Sequence, residues 1–174
     1  MKSAIDPAQF TQAMRRLAGA VSVITVGTGE DRTGFTATSV TSLSADPPRL
    51  LISINRESSS YPIIKDYQTF GVNLLSSEQE PIADRFAGRK GEKGVARFAG
   101  AHWKTLVTGA PLLQNALAAI DCRVEEIIER HSHAIIIGSI EAVDLGLISD
   151  PLLYWSGGYH TLQDLSAFLF SEAG

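Results

Sequence analysis

The stretch Gly34–Asn55, GFTATSVTSLSADPPRLLISIN, decides the fold of this chain. Its first half alternates small hydroxyl and apolar residues. Thr36, Thr38, Val40, Ser42 and Ser44 share one parity, and Ala37, Ser39, Thr41 and Leu43 share the other. That is a strand period with few large side chains. Asp46, Pro47 and Pro48 then impose an extended turn, because proline lacks an amide donor and restricts the residue before it. A second apolar strand follows at Leu50–Ile54. A hairpin whose first arm is mostly Thr, Ser and Ala leaves room beside it for a flat, polar-edged ligand held by amides and hydroxyls. The same pattern also describes a Thr/Ser-rich strand with one solvated face.

Working outward, Asp6 and Pro7 have the form of a helix cap and first turn. Phe10, Ala13, Met14 and Leu17 recur at helical spacing up to Gly19, so this helix is expected to lay an apolar face on the body. Val21–Val26 is a strand, and Gly27–Thr33 its hairpin loop. No amphipathic helix follows Gly27 and Gly29, which excludes a dinucleotide fingerprint. Beyond the central hairpin, RESSS (56–60) and Tyr61-Pro62 predict a short helix over 62–66. Free amides at its start, with the hydroxyls of Ser58, Ser59 and Ser60, could seat a phosphate; serine capping alone is the alternative. Phe70–Leu75 reads as a strand, and Ser77 with Glu80 as the capping box of a helix over 78–87. RKGEKGV (89–95) is a charged, glycine-rich loop, able to clamp anions or simply to be solvated. A turn at 111–115 precedes two long arms, 117–128 and 134–143, around a polar tip at Glu129–His133. A last amphipathic segment, Leu162–Phe170, reads as a helix. About seven short strands with peripheral helices predict an antiparallel barrel.

Composition sets further bounds. A chain of 174 residues, 44% hydrophobic and 20% charged, matches one globular domain with a sizeable core. The net charge of −4 offers nothing to attract nucleic acid or an anionic membrane. The single cysteine, Cys122, can form neither an internal disulfide nor a thiolate metal cluster, and reads as a buried thiol. No apolar run long enough to span a membrane and no hydrophobic signal core at MKSAIDPAQF are present, so the expected compartment is a reducing cytoplasm.

Six pieces then occur in order: GFTATSVTSLSADPP, LLISINRESSSYPII, FGVNLLSSEQEPIADRFAG, RFAGAHW, HAIIIGSI and PLLYWSGGYHTL. Together they span nearly the whole chain, and the ordered set resembles the short-chain flavin:NAD(P)H reductases. Within that family it is similar to the reductase component of 4-hydroxyphenylacetate 3-monooxygenase and to the pyrimidine-utilisation flavin reductase. The resemblance implies a mainly β protein with peripheral helices, an antiparallel split β-barrel that binds FMN. It implies FMN or FAD as flavin and NADH or NADPH as hydride donor. It also implies a homodimer, and a separate oxygenase reached by diffusing reduced flavin.

By the same resemblance, flavin contacts fall on Thr36, Ala37, Thr38, Ser39, Ser42, Leu43 and Ser44 of the first arm. Ser53, Ile54 and Asn55 of the second arm, Ser58, Ser59 and Ser60, and Phe86 with Ala87 complete that set. Arg97 and Phe98 match an Arg- or Lys-Phe pair that approaches the flavin or the pyridine nucleotide. His133, five residues before Gly138, matches a histidine that orients the nicotinamide, and Tyr159 matches a terminal Gly-x-Tyr pattern through Gly157. Where relatives often carry arginine between those last two positions, this chain has Gly158, which puts a phosphate contact there in doubt.

Residues alone leave alternatives. His131 and His133 share a strand face, but no carboxylate or cysteine cluster accompanies them as a metal site would require. Hydride transfer asks little of side chains, since the flavin carries the chemistry. Two other functions share this pattern: a reductase that keeps its flavin and reduces another acceptor such as a corrinoid, and a flavin-binding module without catalysis.

Overall fold

A computed structural model describes residues 5–162. The strands in chain order are β1 (Gly19–Ala20), β2 (Ser22–Val26), β3 (Thr33–Ala37), β4 (Thr41–Ala45), β5 (Pro48–Asn55) and β6 (Thr69–Leu74). After them come β7 (Trp103–Lys104), β8 (Leu112–Leu113), β9 (Ala118–Arg130), β10 (His133–Leu145), β11 (Leu153–Trp155) and β12 (Gly158–His160). The α-helices among the described residues are α1 (Pro7–Arg15), α2 (Ser60–Tyr67) and α3 (Glu80–Phe86). The architecture is mainly β, with antiparallel sheets and peripheral helices, as the sequence predicts.

The principal sheet has seven strands in the order β3-β2-β6-β9-β10-β5-β4. Its outermost members, β3 and β4, are consecutive in the chain, so the residues between them cross from one edge of the sheet to the other. The continuous strand expected over 34–44 is therefore two strands. The period-2 pattern of small residues runs through the break because it carries no information about which neighbour each half pairs with. At the crossing, the Ser39 hydroxyl donates to the Ser53 carbonyl (3.1 Å) and accepts from the Ser53 amide (3.2 Å). One side chain thus replaces a backbone rung and closes the barrel where the strand ladder is split.

Strand β2 has apolar residues facing both ways, and a separate core lies on each side. Ile24 and Val26 join Ile52, Ile54, Phe70, Val72, Ile136 and Ile64 in one cluster. Val21 and Val23 join Leu75, Ala83, Phe86, Phe98 and Leu152 in the other, beneath α3. A Cβ on Gly34 would lie 2.3 Å from the Ile24 carbonyl oxygen and 2.8 Å from the Phe86 ring. Glycine there serves the docking of α3 on β3. Gly138 similarly yields to the Phe70 ring, 2.6 Å from where its Cβ would stand. Buried polar side chains tie the 107–113 segment to the sheet. Asp121 accepts from the amides of Val107 (2.7 Å) and Thr108 (2.8 Å), and Asn73 accepts from the Leu113 amide (2.7 Å). Cys122 is fully buried, and burial pushes its thiol up to about 12, so it stays protonated at neutral pH.

Other boundaries moved. The capping box lies at Ser76 and Gln79, one residue before the expected pair, and caps a short 3₁₀ turn (Ser77–Gln79) that leads directly into α3. Helix α2 begins at Ser60, two residues before its proline. The periodicity of α1 is as read, but none of its residues is buried. Phe10 and Met14 on its apolar face, and Leu17 just beyond it, are 59%, 48% and 69% exposed, so among the described residues this face is left largely uncovered. The helix is held near its C-terminus, where the Arg15 carbonyl accepts from the Ser156 amide (2.9 Å) and the Arg16 carbonyl accepts from Trp155 Nε1 (3.2 Å). Apart from Leu162, the expected helix at Leu162–Phe170 lies outside the described residues.

Ser39→Ala removes both seam bonds and leaves the half-buried Ser53 amide and carbonyl without that partner. We expect a loss of about 1–3 kcal/mol in urea unfolding at unchanged m-value. A wild-type midpoint would show that the seam does not depend on this hydroxyl.

Candidate active site

Because β3 and β4 part at Ala37, the wall beside the seam is built from short side chains. A groove of about 380 Å³ opens there, lined by Phe35, Thr36, Ala37, Thr38, Ser39, Ser53, Ile54, Asn55, Ser58 and His133. A second depression of about 210 Å³ lies across the same strand, lined by Val21, Thr36, Ala37, Thr38, Ala87, Arg89, Tyr154 and Tyr159. Thr36–Thr38 is the wall common to both.

Each wall has a local cause. Thr36 donates its hydroxyl to the Ala83 carbonyl (2.6 Å), which fixes β3 against α3. Asn55 accepts the Glu57 amide on Oδ1 (2.9 Å), and Ser58 Oγ accepts the Ser60 amide (3.3 Å). These bonds fold residues 55–60 into a compact turn whose polar groups border the groove. His133 opens β10 opposite Asn55 in the ladder, with Nδ1 2.8 Å from the Ser132 hydroxyl.

The structure brings nine of the nineteen expected residues together: Thr36, Ala37, Thr38, Ser39, Ser53, Ile54, Asn55, Ser58 and His133 share one groove. Ala87 and Tyr159 border the adjoining depression, so His133 and Tyr159 stand on opposite sides of the Thr36–Thr38 wall and do not share one pocket. Several expected residues lie elsewhere in the protomer. Ser42 and Leu43 are exposed on edge strand β4, where a register shift between Ser42 and Ser44 makes a bulge. Ser44 bonds the Pro47 carbonyl within the turn. Ser59 is exposed, while Ser60 is buried with its hydroxyl 3.2 Å from that of Thr33. Phe86 and Phe98 are core residues in edge contact (5.1 Å between centroids), with Trp103 4.8 Å from Phe98. Arg97 donates to the carbonyls of Glu92 and Gly34, and burial lowers its pKa.

Arg89 was not singled out by its sequence context, a glycine-rich loop in which no periodicity marks one cation above another. Its guanidinium lies 4.9 Å from the centre of the Tyr159 ring and 2.9 Å from Asp84 Oδ1. Burial pushes the Tyr159 phenol up, with Arg89 acting in the opposite direction. Arginine thus reaches this depression from the loop after α3, although Gly158 stands where the resemblance implies one.

The sequence matches the family described as flavin reductase like domain over residues 14–163. This chain belongs to that family. FMN reductase (NADH) RutF of Escherichia coli O45:K1 (strain S88 / ExPEC) is 37% identical over 159 residues, 91% of this chain and 96% of the relative. BorF, the flavin reductase component of a bacterial two-component tryptophan halogenase, superposes with a TM-score of 0.82 at 29% identity, covering 90% of this chain and 98% of its own. The NADH:FAD oxidoreductase SgcE6 of Streptomyces globisporus C-1027, in complex with NAD and FAD fragments, gives 0.80 at 28% identity over 91% and 95%.

The groove fits the flavin that such a reductase uses. Its size lies within the usual 300–1,000 Å³ of small-molecule sites. Ala37, Ser39 and Ser53 leave room for a flat ring, Phe35 and Ile54 supply apolar surface, and Asn55 and Ser58 supply hydrogen-bonding groups for a polar tail. Thr38 borders both depressions and a third cavity beneath α1. Thr38→Tyr should fill this junction and weaken FMN binding by about tenfold or more, about 1.4 kcal/mol, at unchanged melting temperature. Titration of flavin fluorescence measures it; undiminished affinity would place the ring elsewhere.

Proposed function

We propose that this chain is an NADH-dependent flavin reductase that delivers reduced FMN to a separate flavin-dependent oxygenase. The observation that carries the reading is the single groove of small and hydroxyl side chains from Thr36–Ser39, Ser53–Asn55 and Ser58, with His133 at its rim, in a chain of the flavin reductase family. A flavin bound there accepts hydride from the nicotinamide and carries the electrons onward. Thr36–Ser39 and Ser53 shape the seat for the ring, Asn55 and Ser58 bind the polar tail, and His133 orients the nicotinamide. Arg89 and Tyr159 border the adjoining space through which the rest of the dinucleotide passes. Holding two rings in register is the protein's main contribution to rate.

The seat consists of neutral hydroxyls and amides, which suits a flavin that is bound, reduced and released. BorF is likewise a flavin reductase component that works with a separate enzyme, in its case a two-component tryptophan halogenase. The protein works as a homodimer in the cytoplasm, as a single flavin reductase domain. A second copy covers the apolar face at Phe10, Met14 and Leu17, which the described residues of the same protomer leave largely exposed. Light scattering should return twice the mass of one chain; a monomer at micromolar concentration would remove this part of the proposal.

Steady-state oxidation of NADH and NADPH with riboflavin, FMN and FAD in turn tests the reaction itself. FMN with NADH is expected to turn over fastest. His133→Ala should lower kcat/KM for NADH about tenfold, the loss of one positioning contact of about 1.4 kcal/mol, with flavin affinity retained. Flavin binding without NADH oxidation would leave a non-catalytic module. Reduction only of an acceptor present with the protein, and none across a dialysis membrane under low oxygen, would favour a bound-flavin reductase.

A further inference from the structure

Strand β5 ends at Asn55 and β10 begins at His133, and these two residues are the last rung of their ladder. Both border the groove, on segments that part immediately afterwards: the turn 55–60 on one side, the hairpin tip 129–132 on the other. Arg56 bridges that parting. Its amide donates to the Ser132 carbonyl (2.9 Å), its Nη1 to the His131 carbonyl (3.0 Å), and its Nη2 lies 2.8 Å from Glu129 Oε2. The other carboxylate oxygen of Glu129 accepts from the buried Tyr61 of α2 (2.6 Å), with Lys65 Nζ 3.7 Å away. The Tyr61 bond, with the neighbouring cations, holds the Glu129 carboxyl below the usual range, so it is ionised at neutral pH. His131 adopts a left-handed backbone (φ 50°), uncommon for a residue with a side chain, and this turns the tip toward Arg56.

We infer that Arg56, working through Glu129, is a positioning residue: it clamps the β9–β10 tip to the turn before α2 and thereby sets His133 against Asn55 and Ser58. Resting on the flavin reductase reading, this assigns the arginine to the protein's own scaffold and not to a ligand phosphate. Arg56 and Glu129 are 41% and 40% exposed, and ion pairs so exposed add little to global stability. Their leverage is local, since hairpin tips open at far lower cost than the core does.

The test compares wild type with Arg56→Ala, Arg56→Lys, Glu129→Gln, His133→Ala and the Arg56→Ala/His133→Ala double variant, each as the full chain. Without any ligand, Arg56→Ala should speed amide hydrogen exchange several-fold at 129–133 while the melting temperature stays near wild type. With FMN and NADH, Arg56→Ala should lower kcat/KM for NADH about tenfold, chiefly through kcat, because misplacement of an orienting group slows the aligned step. Glu129→Gln keeps the acceptor for Tyr61 and loses the charge, and Arg56→Lys keeps the charge and loses the fork, so both should fall between. The loss should vanish in the His133→Ala background, which is the mark of action through that histidine. Unchanged exchange at the tip overturns the clamp, and additive losses in the double variant overturn the route through His133. A fall in FMN affinity matching the fall in kcat/KM overturns it too, since Arg56 would then be a ligand contact. Should wild type fail to oxidise NADH, the reductase reading fails separately, and the exchange arm still decides the clamp.

Discussion

The whole arrangement depends on how an antiparallel sheet closes when its two edge strands are neighbours in sequence. Between β3 and β4 only Thr38–Val40 are available to cross from one edge to the other. The crossing leaves no backbone ladder between the edges, and unpaired strand edges are costly when shielded from water. The Ser39 hydroxyl satisfies both the donor and the acceptor of Ser53 at that point. An alanine there would leave both groups without this partner. The seam that closes the barrel is thus small and polar, and a small, polar, concave strip is also what a flat heteroaromatic ring requires.

This explains why part of the candidate site was legible. Within Gly34–Asn55, Phe35–Ser39 and Ser53–Asn55 line the groove, beside the seam where closure calls for small polar side chains. What could not be read follows physically too. Alternation of Thr, Ser and Ala marks a strand but not its partner, so the break at Thr38 was hidden. A bulge near Leu43 turns Ser42 and Leu43 outward, and no pattern of side chains announces a bulge before the ladder is known. Among the three serines at 58–60, only Ser58 reaches the groove, since the start of α2 rotates Ser60 into the interior against Thr33. Arg97 and Phe98 matched a family motif, and in the protomer their side chains are engaged by the Gly34 carbonyl and the Phe86–Trp103 cluster. The stripe on α1 was readable as a face, but helical periodicity does not say whether the surface it meets belongs to the same chain.

The two sides of the groove are anchored differently. On one side, β3 is held by the Thr36 bond to α3, by Gly34 beneath Phe86, and by a two-sided core on β2. On the other, the Asn55–Ser58 turn and the His133 tip are anchored by exposed or half-exposed polar contacts around Arg56 and Glu129. The wall common to the two depressions thus rests on buried core, and the rim at Asn55–Ser58 and His133 on polar contacts nearer the surface.

Electrostatics points the same way. The cation bordering the adjoining depression, Arg89, is already ion-paired to Asp84 and stacked on Tyr159, so it offers an incoming phosphate a shared charge and not a free one. The groove itself is lined by hydroxyl, amide and apolar side chains, Phe35 and Ile54 among the last, with His133 at its edge. A ligand seated there would be held by shape and hydrogen bonds more than by charge.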